Sequence, residues 1–254
     1  MQDRHKPVLI LKTGETVKSL LQQGEDFEDW IIAGTGLPAG SFLTVAVFQG
    51  EKLPPVDEIA GIIITGSAAY VTDHDEWNEH SAAFLREAME RELPILGICY
   101  GHQLLAYALG GEVAFHPRGR EIGTTMVRLE PANTSHDPLL GGLPASFKAQ
   151  VSHLQTVARP PAGSTVLASN DFEPYHALRF GPRAWGVQFH PEFSPQVMLA
   201  YLAQREESLL AEGLPVEKMK AAVSPTPEAA SVLRRFAGLL TPASQPVDGQ
   251  NRRP

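Results

Sequence analysis

Three short runs constrain this chain more than anything else in it. Val8-Leu-Ile-Leu11, Gly61-Ile-Ile-Ile64 and Ile95-Leu-Gly-Ile98 are free of polar residues instead of alternating polar with apolar ones. A strand with water on one side alternates; a strand that does not is buried on both faces, as in a parallel sheet covered by helices. The segments between the runs agree with that reading. A helical pattern runs from Glu15 through Leu21 and onward to Trp30, another from Glu76 to Glu92, and Leu43 to Phe48 supplies a further strand. Strands alternating with helices at this spacing give a parallel sheet with right-handed crossovers, hence an α/β fold with helices on both faces. Ligands of such sheets sit beyond the carboxyl ends of the strands. Gly66-Ser67 and Cys99 both fall there.

Beyond Gly111 the texture changes to short runs separated by Gly, Pro, Asn and Asp: Val113 to Phe115, Gly123 to Leu129, Phe147 to Val151, Thr165 to Ala168, Tyr175 to Phe180 and Ala184 to Phe189. These read as strands, several of them antiparallel. Pro195 to Glu212, Pro215 to Ala222 and Thr226 to Leu240 read as helices, the last opened by a capping threonine and an early proline. The chain therefore divides into an α/β domain over 1–205, a helical extension over 206–240 packed on it, and a disordered tail over 241–254, which is Pro, Gly and polar residues.

Cys99, the only cysteine, stands where the run Ile95 to Ile98 gives way to a helical pattern carried by Leu104, Leu105, Ala108 and Leu109. A thiol at a strand-to-helix turn faces the unpaired N–H groups and positive dipole end of the helix, which favours the thiolate. Gly97 and Gly101 suit a tight elbow with a close backbone approach. Taken alone, Cys99 reads first as a small buried hydrophobe, the usual state of a lone cysteine among apolar residues; what points to a nucleophile is its coincidence with the residues that follow. The stretch Trp185 to Ser194 supplies what a nucleophile needs: a strand ending at His190, with Pro191 holding the chain extended so that His190 and Glu192 share a face. A carboxylate that holds one imidazole nitrogen leaves the other for the sulfur.

On Gly97-Ile-Cys-Tyr-Gly-His-Gln103 and His190-Pro-Glu192, with Ile64-Thr-Gly-Ser67 and Val151-Ser-His-Leu-Gln155 in the expected order, the chain resembles the class I (triad) glutamine amidotransferases, in particular stand-alone relatives of the amidotransferase domain of GMP synthase. The resemblance implies a flavodoxin-like open, mostly parallel twisted sheet, with a small antiparallel part and the C-terminal helices added to it. It implies Cys99, His190 and Glu192 as catalytic triad and the backbone N–H groups of Ser67 and Tyr100 as oxyanion donors. Gly66, Gln103, Ser152 and His153 would contact the substrate, glutamine or a related γ-glutamyl compound, with no cofactor and no metal. Where relatives often read Gly-Gly-Pro, this chain has Gly66-Ser67-Ala68; serine keeps the backbone donor and adds a side chain able to touch substrate.

The remaining features bound the function. Neither a Ser-Gly-Gly-Val-Asp-Ser pyrophosphatase loop nor a G-x-x-x-x-G-K-[ST] phosphate cradle occurs in the 254 residues, so the ammonia would go to water or to a synthetase on another chain. A γ-glutamyl peptidase would use the same triad on a larger leaving amine, and a non-catalytic binding module would keep the pocket alone. A net charge of −8 without a basic run argues against nucleic acid and anionic membrane surfaces. No apolar stretch has the length of a membrane span or signal core, and one cysteine supports no disulfide framework, which together point to the cytoplasm. Asp73, His74, Asp75 and His80 are too irregularly spaced for a metal site and read as a solvated cluster. Gly119-Arg120-Glu121 reads as a charged turn held by a surface salt bridge, with a place in the substrate pocket as the alternative. The apolar spacing of Val232, Leu233, Phe236 and Leu239-Leu240 suits a helix covering the face that two-domain relatives present to their synthetase.

Overall fold

The computed structural model describes residues 6–240; the expected tail lies outside the described residues. The three apolar runs become β1 (Val8–Lys12), β3 (Gly61–Ile64) and β4 (Ile95–Ile98), and with β2 (Phe42–Ala46) and β11 (Ala184–Val187) they form five parallel strands in the order β2-β1-β3-β4-β11. Burial on both faces is literal. Val8 and Ile10 of β1 enter one core with Ile63, Leu96 and Ile98, while Leu9 and Leu11 enter the other with Ile62, Ile64 and Ile95. At about 25 cal/mol per Å² of apolar surface removed from water, such strands hold both helical layers to the sheet.

The antiparallel strands expected after Gly111 are present and extend the same sheet. Past β11 the same sheet continues through β10 (Ala177–Gly181), β9 (Thr165–Ser169), β6 (Glu121–Leu129) and β7 (Ser146–His153), each antiparallel to its neighbour. A separate two-stranded sheet pairs β5 (Glu112–Phe115) with β8 (Gln155–Arg159). The latter strand goes unseen in the sequence because its polar residues mask the alternation. Strand β6 begins before Gly123, and its register with β7 runs unbroken through that residue despite a φ of 114°.

Two helices expected to be continuous are broken. Between Glu15 and Trp30 only Lys18–Leu21 (α1) is helical before Gly24 (φ 78°) turns the chain. The helix α2 (Phe27–Thr35) then starts afresh at Asp26, whose carboxylate accepts from the Phe27 N–H while Asp29 accepts from the Asp26 N–H. That reciprocal cap, with Lys12 2.6 Å from both Asp26 and Glu28, fixes the helix start better than continuation from α1 would. The helices α3 (Glu76–Glu90) and α4 (Tyr100–Ala108) cover the opposite face, and α5 (Pro131–Thr134) is a single turn. Pro195 to Glu212 divides into α6 (Pro195–Gln204), capped by Ser194, and α7 (Glu206–Ala211), with the bend at Arg205 (φ −101°, ψ 7°). After α8 (Val216–Ala222), the helix α9 (Pro227–Leu240) buries Val232, Leu233 and Phe236 completely in the same core as β1 and α2. Its approach is close: a Cβ on Gly34 of α2 would lie 2.4 Å from Leu233 Cδ1.

Candidate active site

The elbow is a product of backbone geometry. Cys99 has φ 51° and ψ −100°, a combination that residues with a Cβ rarely adopt, and Tyr100 begins α4 directly after it. The Cys99 N–H donates to Val187 O (2.8 Å) and its carbonyl accepts from Gln103 N–H (3.2 Å), so both sides of the peptide are fixed. Gly97 and Gly101 are required here: a Cβ on the first would meet Gly101 O at 2.4 Å, and on the second Ile64 O at 2.6 Å. The Cys99 sulfur lies 3.7 Å from Ser152 O.

His190 follows β11 and is held on all sides. Its Nδ1 is 2.7 Å from Glu192 Oε1, and Phe193 stacks on the ring at 4.0 Å between centroids. Gly66 leaves room beside the ring, since a Cβ there would stand 3.0 Å from His190 Cε1. His190 and Cys99 share the wall of one cavity. Burial pushes the imidazole pKa down, but the Glu192 carboxylate and the Cys99 sulfur beside it more than offset this and raise it to about 10. A ring that stays protonated is the partner a thiolate needs. The other oxygen of Glu192, Oε2, is buried without a partner.

The remaining expected residues fall as follows. Ser67 lines both cavities that Cys99 lines, and its hydroxyl is occupied within its own loop, donating to Thr13 O (2.8 Å) and accepting from the Ala69 N–H (3.1 Å). Tyr100 lines the smaller cavity. Its N–H belongs to the first turn of α4, which has no intrahelical acceptor, while its buried hydroxyl donates to Asn78 Oδ1 (2.7 Å) and burial raises its pKa far above the ordinary value. Gly66 lines neither cavity. Gln103 lines the smaller cavity and donates to Gln155 O (2.7 Å) and Gln188 Oε1 (2.9 Å). Ser152 lines both cavities and His153 the smaller.

The His153 side chain turns from the cavity into a buried network. Its Nε2 is 3.0 Å from Glu121 Oε2 and its Nδ1 3.0 Å from Gln155 O; His176 Nε2 stands 3.3 Å from the same Glu121 oxygen, and Asn170 donates to the other (2.7 Å). Burial would raise the Glu121 carboxyl, but His153 and His176 hold it well below the usual carboxylate range. Glu121 is thus no surface ion-pair residue; its neighbour Arg120, its side chain equally covered, lines the smaller cavity and pairs with Glu212 at 2.9 Å. His102 is fully buried, and desolvation first, then the charges of His176 and His153, push it down to about 3, leaving a neutral ring against Gly186 and Phe180. His74 pairs with Glu79 (3.0 Å), and among the described residues no group of three or more His, Cys, Asp or Glu is arranged to hold a metal.

Sequence reasoning missed much of the wall of the larger cavity. Thr16, Phe27, Tyr201 and Arg205 line the larger cavity with Cys99 and His190, and they come from the loop after β1, from α2 and from α6 and its end. No motif joins them, because only the tertiary fold brings residues some 180 positions apart together: the Thr16 and Tyr201 hydroxyls are 3.0 Å apart.

Residues 42–206 match the family model described as glutamine amidotransferase class I. Curated relatives include a GMP synthase [glutamine-hydrolyzing] of Aeropyrum pernix, 41% identical over 145 residues, 56% of this chain and 25% of the relative. Another, of Leifsonia xyli subsp. xyli, is 43% identical over 136 residues, 52% of this chain and 26% of the relative. The chain thus spans about a quarter of these relatives' length. Its fold is that of a glutamine amidotransferase from Thermotoga maritima, with TM-score 0.74 at 20% identity, covering 93% of this chain and 99% of that one. A glutamine amido transferase from Methylobacillus flagellatus matches with TM-score 0.73 at 21% identity, over 92% of each chain.

Proposed function

The chain belongs to the class I glutamine amidotransferases, and from that premise we propose that it hydrolyses the side-chain amide of glutamine through a γ-glutamyl thioester on Cys99. The observation that carries the reading is His190, held by Glu192 at 2.7 Å and raised to about 10 beside the sulfur of a strained elbow residue. In the first step the Cys99 thiolate attacks the amide carbon, and the oxyanion forms near the Ser67 and Tyr100 N–H groups. Each such donor is worth about 3 kcal/mol. His190 gives its proton to the departing nitrogen, so that ammonia leaves instead of amide anion. Neutral His190 then takes a proton from water as water attacks the thioester, releasing glutamate and restoring the thiolate–imidazolium pair. Glu192 keeps the Nδ1–H directed toward itself and stabilises the charged ring.

Gln103 and the Ser152–His153 backbone form the glutamyl side of the site, and no cofactor or metal enters any step. The ammonia is released to water or passed to a synthetase on a separate chain. The test is glutamate and ammonia release from glutamine, alone and with candidate acceptor enzymes, with Cys99→Ala as control. Folded protein with an alkylatable Cys99 that releases nothing under any condition would leave a ligand-binding module as the remaining reading. No helix among the described residues is long and apolar enough to cross a membrane.

A further inference from the structure

Two cavities meet at Cys99, and they differ in what they contain. Tyr100, Gln103 and His153 line only the smaller, of about 50 Å³, whereas His190 lines only the larger, of about 320 Å³. A general acid acts on a nitrogen within its reach, so the amine that His190 protonates departs into the larger cavity. Ammonia is no bigger than a water molecule, which takes up ~30 Å³ in the liquid. The space beyond the thiol therefore exceeds what an amide of ammonia requires.

The charge of that space is specific as well. Arg205, at the bend between α6 and α7, lines both cavities; its guanidinium lies over the Tyr201 ring at 5.6 Å, and its Nε is buried without a hydrogen-bond partner. Among the described residues no carboxylate stands within ion-pair distance of it, in contrast to Arg120, which Glu212 occupies. At the mouth, Lys18 adds a second cation and Glu15 the one anion, which already accepts from Gln49 Nε2 at 3.3 Å. A guanidinium left free beside a cavity is matched to a carboxylate.

We propose that the larger cavity is a leaving-group subsite for γ-glutamyl amides of amino acids, with Arg205 anchoring the carboxylate of the departing amino acid; this rests on the hydrolase reading above. Cys99 Sγ forms a bond to the γ-carbonyl carbon as the C–N bond breaks, and the His190 proton goes to the amino acid's nitrogen. Water then forms the new C–O bond as C–S breaks, its proton passing to His190, so glutamate and a free amino acid are the products. No oxidant, metal or nucleotide is consumed.

The test compares γ-glutamylalanine with γ-glutamylethylamide, which differs from it only by the missing carboxylate, and with glutamine. For the wild-type chain kcat/KM on γ-glutamylalanine exceeds that on γ-glutamylethylamide by about tenfold or more, the scale of a charged hydrogen bond. Arg205→Met brings the ratio close to one, and Arg205→Lys keeps part of it. The subsite is refuted if the wild-type chain turns over glutamine but shows no preference between the two amides, or if folded Arg205→Met keeps the preference. Should Arg205→Met not fold, the wild-type ratio and Arg205→Gln decide. Failure on all three substrates, with no glutamyl adduct on Cys99 by mass spectrometry, overturns the hydrolase reading and the subsite together.

Discussion

Replacing Cys99 in two ways separates the thiol from the backbone that presents it. Cys99→Ala and Cys99→Gly both remove the sulfur and its contact with Ser152 O, so their difference reports the peptide conformation at φ 51°, ψ −100°. At an ordinary position glycine is the less stable by roughly 0.5–1 kcal/mol, because it has more backbone freedom to lose. Here alanine keeps the Cβ and with it a strain of order 1–3 kcal/mol for so sparsely populated a backbone state, which glycine relieves. With central values for both, Cys99→Gly is the more stable variant by about 1 kcal/mol, or a Tm about 2–4 °C higher for a domain of this size. The hydrogen bonds Cys99 N–H to Val187 O (2.8 Å) and Gln103 N–H to Cys99 O (3.2 Å) prevent either variant from escaping by local rearrangement. Urea and thermal unfolding of the two proteins side by side give the number. An alanine variant as stable as the glycine one, or more so, would refute the strained elbow and with it the reason for the thiol's presentation at the start of α4.

Gly97→Ala places a Cβ 2.4 Å from Gly101 O, a backbone atom that must move; overpacking of this kind costs about 1–3 kcal/mol, and a shift of about 1 Å at the elbow lowers kcat/KM on glutamine about 100-fold, read by unfolding and steady-state kinetics. In Glu192→Gln the strongest influence raising His190 is gone, so the loss of activity with rising pH, which follows deprotonation of this acid near about 10 in the parent, moves to lower pH; a profile of kcat/KM that does not move refutes the pairing. The same raised pKa means that the His190 contribution to stability is whole below about 6.5, the ordinary value, and is lost as pH rises through about 10. Glu121→Gln removes the charge that orients His153 and thereby the Ser152–His153 backbone, so KM for glutamine rises several-fold with kcat changed less. The lowered Glu121 pKa contributes stability that is present above the ordinary carboxylate range and lost as the pH falls below it, so the variant loses part of its acid-side transition in denaturation followed against pH.

The sequence alone determined the parallel core and the chemical pair at its edge. Runs without alternation, such as Gly61–Ile64, have only one economical environment, a strand covered on both faces. Cys99 between Gly97 and Gly101, and His190 two residues before Glu192, are local patterns whose geometry follows from a few neighbouring backbone bonds. The extent of the antiparallel wing, the strand Gln155–Arg159 and the break at Arg205 were decided by tertiary structure. Nothing in Gln204-Arg205-Glu206 disfavours a continuous helix; the bend places Arg205 at a cavity whose other walls lie far away in the chain. Glu121 likewise read as a surface charge until β6 paired with β7 and put it opposite His153. Burial, and so the state of every ionisable group in the site, depends on which distant segments come together, and no local pattern of residues encodes that.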